Sequence, residues 1–157
     1  LDVDAAGGFG SLESDLYVGA RGAVGGFGWS AKYLRLVYTD GVGDFDQYAV
    51  EVTHPIGPLA GALGVVYDDY GPGGDSTYVY TSLGYTIPET PLSIKAGFGW
   101  EDGSIYTDKT NWSLGATYTF QKFAIGLEYI DSSETINGPS ANDIGGSTAV
   151  FSITSAF

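Results

Sequence analysis

The chain has 157 residues, with 6 Lys and Arg against 19 Asp and Glu for a net charge of -13, and no Cys. That length fits one domain; the missing Cys excludes a disulfide framework and thiolate metal sites, and so few basic residues argue against nucleic acid and an anionic surface as partners. Charged residues make up 16%, against about 25% in an average soluble protein, while Gly reaches 25 residues and Tyr 12.

Residues 1–11, LDVDAAGGFGS, read as the end of something earlier followed by a loop, and a chain beginning at Leu1 reads as mature, processed or truncated. Alternation with period two, bounded by turn residues, then predicts nine strands over 13–24, 27–39, 46–54, 59–70, 76–87, 92–101, 110–120, 123–131 and 146–157. Short connections at Gly25-Gly26, Pro55 to Pro58, Pro88 to Pro91 and Gln121-Lys122 alternate with longer ones at 40–45, 71–75, 102–109 and 132–145. In an up-and-down meander, alternate connections share an end, so one end carries short turns and the other long loops, as in outer-membrane barrels. No apolar run approaches the roughly 20 residues of a membrane-spanning helix.

The faces agree with that reading. Tyr48, Val50 and Val52 alternate with Gln47, Glu51 and Thr53; Val79, Leu83 and Tyr85 with Tyr78, Tyr80 and Ser82; Leu92, Ile94, Ala96, Phe98 and Trp100 with Ser93, Lys95, Gly97, Gly99 and Glu101; Trp112, Leu114, Ala116, Tyr118 and Phe120 with Ser113, Gly115, Thr117 and Thr119. Each apolar face runs without charge over about nine or ten residues, enough for a tilted strand to cross the hydrocarbon layer. Aromatics at the face ends, namely Phe27, Trp29, Trp100, Trp112, Phe120, Phe123 and Phe157, suit interfacial girdles. The second strand changes pattern: Phe27, Trp29, Ala31 and Tyr33 set one parity and Leu34, Leu36 and Tyr38 the other, which predicts a bulge or a parity change near Tyr33. The last, STAVFSITSAF, is apolar at Ala149, Phe151, Ile153 and Phe157 and hydroxylated between. It reads as the closing strand of an outer-membrane barrel or as an edge strand of a soluble sandwich.

The runs SDLYVGARGAVGGFGWSAKY, YGPGGDSTYVYTSLGYTIP, PLSIKAGFGW, NWSLGATYTF and STAVFSITSAF together resemble the TorF-family porins of Gram-negative outer membranes over most of the chain. The resemblance implies an all-β, antiparallel up-and-down transmembrane β-barrel of about twelve strands, in which this chain matches the C-terminal two thirds and about three strands precede these nine. It also implies a bacterial outer-membrane location, with membrane lipid and lipopolysaccharide around it and a homo-oligomer or larger assembly as a possible state. The terminal Phe157 sets the short-turn end at the periplasm and the acidic loops outside the cell.

Two constellations bear on function. Asp15, Arg21, Glu51, Lys95, Glu101 and Glu128 fall on the presumed inner face, where they line a lumen and set ion preference or pair across strands to fill a narrow barrel. Asp40, Asp44, Asp68, Asp69, Asp75, Asp102 and Asp108, with Asp46, Asp131, Glu134 and Asp143, form an acidic outer rim. That rim attracts cations, holds divalent ions that bridge to lipopolysaccharide phosphates, or is simply solvated. No segment has EF-hand spacing, so no metal site is assigned and no cofactor is implied. The single His54, before Pro55, reads as a turn residue; with no second His and no Cys, the usual nucleophile-base pairs cannot be built, and no catalytic residue is assigned. The expectation is a porin-like channel for small hydrophilic solutes or ions, biased toward cations. The alternative is a non-conducting structural barrel that anchors an assembly.

Overall fold

The structure, a computed structural model, describes residues 12–39, 43–104, 107–134 and 146–155. They form one all-β sheet of nine antiparallel strands in sequence order: β1 (Leu12–Val24), β2 (Phe27–Thr39), β3 (Phe45–Ile56), β4 (Leu59–Asp69), β5 (Asp75–Thr86), β6 (Leu92–Gly103), β7 (Lys109–Phe120), β8 (Phe123–Ser132) and β9 (Thr148–Ser155). The one other regular element among the described residues is a single 3-10 turn, Gly71–Gly73. None of them forms a helix long and apolar enough to cross a membrane. The sheet is open: β1 is hydrogen-bonded to β2 and β9 to β8, so these two are its edges.

Turn chemistry fixes the register. Gly25 and Gly26 both adopt positive φ, at 56° and 85°, which two-residue hairpins need and L side chains resist. Val24 therefore faces Phe27 and the ladder runs unbroken to Leu12 opposite Thr39. Short turns likewise set Ile56 opposite Leu59 and Phe120 opposite Phe123. With every step one-to-one, each strand's alternation is locked to its neighbour's, and one face of the sheet collects the apolar set.

Exposure is inverted relative to a soluble sheet. Among the described residues there is no buried apolar side chain, and the one buried polar side chain is Ser76. Along β7 the exposed positions are Trp112, Leu114, Ala116 and Tyr118, whereas Ser113, Gly115 and Thr117 between them are less exposed. The same holds for Leu63 and Val65 on β4 and for Phe123, Ile125, Leu127 and Tyr129 on β8. Register places every exposed large apolar side chain of the described residues on this one face except Tyr17 and Val150, which sit on the two edge strands. Interstrand pairing and cross-strand contacts on both faces hold the sheet, in place of an apolar interior.

At β2 the apolar residues change parity without a bulge, and one local expectation, that for His54, is corrected. β2 contains no bulge: Tyr33 pairs with Val18 and Tyr48, and the ladder continues through Leu34 and Leu36 without a slip. Leu34, Leu36 and Tyr38 instead lie on the polar face near the long loops, where Tyr38 stacks on Phe45 with centroids 5.9 Å apart and Phe45 meets Tyr70 at 5.0 Å. Nor is His54 a turn residue. It belongs to β3 opposite Gly61, with Pro55 still paired to Ala60, and the turn is confined to Gly57 and Pro58. The His54 ring stacks on Phe27 at 4.1 Å, with Nδ1 3.2 Å from the Gly26 carbonyl oxygen.

Candidate functional site: the polar face and its acidic rim

Asp15 and Arg21 on β1, Glu51 on β3, Lys95 and Glu101 on β6 and Glu128 on β8 all fall on the polar face. The structure brings only some of them into contact with other side chains. Toward the long loops, Gln47 donates to Asp68 at 2.9 Å, Ser76 donates to Glu101 at 2.7 Å, and Lys109 reaches the other Glu101 oxygen at 2.6 Å. Because Asp68 faces Ser76 and Glu101 faces Lys109 in register, this is one band across β3 to β7.

Closer to the middle of the sheet the wall is made by tyrosines lying on glycines. Gly64 faces Tyr80, and a Cβ on Gly64 would overlap the Tyr80 ring. Lacking that Cβ, the phenol crosses β4 and donates to Glu51 at 2.8 Å. Tyr78 does the same in the other direction, crossing Gly99 to donate to Asn111 at 3.1 Å, and the two rings stack at 5.6 Å. Glu51 is thereby held in place. Among the described residues the ion pairs are Arg35 with Asp44, Arg35 with Asp46, and Lys109 with Glu101, so Arg21, Lys32 and Lys95 take part in none.

The rim residues Asp44, Asp68, Asp69, Asp75, Asp102 and Asp108 all lie at the long-loop end. Asp40 and Asp143 lie outside the described residues. The rim is not confined to one face: Asp68 is on the polar side, whereas Asp46, Asp69, Asp75, Asp102 and Asp131 share the parity of the apolar face, just beyond its uncharged part. Trp29 and Phe120 stand near the short turns and Trp100 and Trp112 near the long loops, all on the apolar face; Phe157 lies outside the described residues. A tyrosine row that sequence reading passed over completes the long-loop side, with Tyr33, Tyr48 and Tyr67 adjacent on β2, β3 and β4 and centroids 5.3 and 6.4 Å apart. Its signal was the recurrence of Tyr two residues inside a charged position on three consecutive strands.

These aromatics tie the apolar face to the rim. Tyr33 donates to Asp46 at 2.7 Å, Tyr67 to Asp75 at 3.1 Å and Trp100 Nε1 to Asp108 at 3.3 Å. Arg35 spans Asp46 at 2.8 Å and Asp44 at 3.1 Å.

A family model described as "Bacterial protein of unknown function (Gcw_chp)" matches residues 1–157. The chain belongs to this family. No curated protein matches it. The family description names no activity, so function has to be argued from the sheet itself, whose two faces differ as an oily wall differs from a wet one.

Proposed function

We propose that the chain is the wall of a bacterial outer-membrane β-barrel that passes small hydrophilic solutes or ions, with the polar face toward the lumen and a cation bias set by the acidic rim. The observation that carries this reading is the inverted exposure: an apolar face spread over nine strands lies bare, while from β3 to β8 most positions of the polar face are the less exposed ones. Water does not tolerate so large a contiguous apolar surface, and lipid does. Strands of 8 to 13 residues suit a tilted crossing of about 30 Å. The Tyr and Trp rows, with polar tips turned to carboxylates, suit a membrane interface. Resemblance to the TorF porins supplies passive diffusion as the activity.

A non-conducting barrel that anchors an assembly is the second reading, favoured by the Tyr38, Phe45 and Tyr70 cluster, which places aromatic bulk on the polar face at the loop end. Planar-bilayer recordings of the full-length protein separate the two. Stepwise conductance is expected, and neutralising Asp68, Asp69 and Asp75 to Asn should move the reversal potential in a salt gradient toward that of an unselective pore. Absence of current in the wild type refutes the channel. An unchanged reversal potential removes the rim from its selectivity.

A further inference from the structure

Arg21, Ser30 and Glu51 form one row across β1, β2 and β3. Strands spaced at about 4.8 Å put the Arg21 and Glu51 backbones about 10 Å apart, and no ion pair joins their side chains. Between them is a hollow of about 610 Å³ whose lining includes Arg21, Gly28, Ser30, Glu51 and Thr53. That volume falls within the range of small-molecule sites. Its base is shallow and hydroxylated because Gly28 has no Cβ and the Thr53 hydroxyl leans into that space. One wall is fixed: Tyr80, lying over Gly64, holds the Glu51 carboxylate at 2.8 Å. The opposite wall carries a guanidinium that no carboxylate of the described residues engages.

We infer that this hollow is a sub-site for small zwitterionic solutes, with the solute carboxylate on the Arg21 guanidinium and its ammonium on Glu51; the inference rests on the polar face lining a solute path. An anion gains at Arg21 but meets the charge of Glu51, and a cation meets the reverse. A solute carrying both charges gains two charge-assisted contacts and opposes neither wall. Lys95 and Glu128 repeat the spacing across Gly115, but the hollow there is about 220 Å³ and Glu128 carries no hydrogen bond among the described residues. The anchored carboxylate distinguishes the first site from the second.

The test uses the full-length protein in planar bilayers with three probes of similar size: γ-aminobutyrate, butyrate and butylammonium. γ-Aminobutyrate is expected to reduce the ion current at a concentration at least tenfold lower than either singly charged analogue. Arg21→Gln and Glu51→Gln should each erase that preference and Glu128→Gln should keep it. Tyr80→Phe, which leaves all charges in place but releases Glu51, should weaken it several-fold. Equal action of the three probes, or a preference that survives both Arg21→Gln and Glu51→Gln, overturns the sub-site. Should the wild type carry no current, the channel reading fails separately, and calorimetric titration of the three probes into the detergent-solubilised protein decides. A tenfold preference lost in Glu51→Gln sustains the sub-site, and no preference overturns it.

Discussion

Leu114 gives the sharpest discrimination between a face that meets lipid and one that meets water. It sits near the middle of β7, is 53% exposed, and faces Ala96 and Tyr129 on the apolar side of the sheet. If the face is wet, Leu114→Arg replaces one exposed side chain by another and changes stability by about 0.5 kcal/mol or less. If it is covered by hydrocarbon, a guanidinium at mid-depth costs about 2–4 kcal/mol, a shift of roughly 30- to 900-fold in the folding equilibrium. Depth supplies an internal control, because Phe120 ends the same face beside a short turn, where the same substitution costs about 0–1 kcal/mol. Ser113→Arg, on the opposite face, should stay within about 1 kcal/mol. The assay is equilibrium unfolding in urea of the full-length protein folded into phospholipid vesicles, followed by Trp fluorescence. A flat profile, with Leu114→Arg and Phe120→Arg both within 0.5 kcal/mol of the wild type, would refute the assignment of this face to lipid.

Other outcomes follow from the polar face and rim. Gly64→Ala should destabilise the protein by about 1–3 kcal/mol, because the new Cβ displaces the Tyr80 ring and breaks its bond to Glu51. In Gly64→Ala/Tyr80→Ala the two losses should not add, and additive losses in the unfolding cycle would show that the ring does not depend on the glycine. Asp46→Asn should destabilise the protein, because it weakens the acceptor shared by the Tyr33 phenol and the Arg35 guanidinium; a urea midpoint equal to that of the wild type would show that these contacts contribute nothing.

Much of the sheet was legible because period-two alternation and two-residue turns constrain the same thing. Once Gly25-Gly26 and Gln121-Lys122 are taken as hairpins, register follows and every face assignment follows from register. The ambiguity at β2 has a definite cause. Apolar residues of both parities signal either a bulge or an apolar patch on the polar face, and alternation cannot separate these. Tyr38 stacks on Phe45 of the next strand, Phe45 in turn meets Tyr70, and these rings decide the case. Pro55 misled for a similar reason: proline usually leaves a ladder, yet here the hairpin keeps it opposite Ala60 and shortens the turn to two residues. The glycine cradles were out of reach for a simpler reason. Gly64 and Tyr80 become neighbours only through the register of the β4 and β5 hairpin, and glycine in a strand carries no mark of which side chain will lie across it.

The strand count itself carries the last step. Eight connections separate β1 from β9, so the two edge strands run in the same direction. Joining them directly would make one parallel seam in an otherwise antiparallel sheet, and a second copy in the same membrane orientation would offer the same parallel junction. Open edges in hydrocarbon leave backbone N–H and C=O groups unpaired at several kcal/mol each. A lipid-embedded barrel closed wholly by antiparallel pairs therefore takes an odd number of strands in addition to these nine.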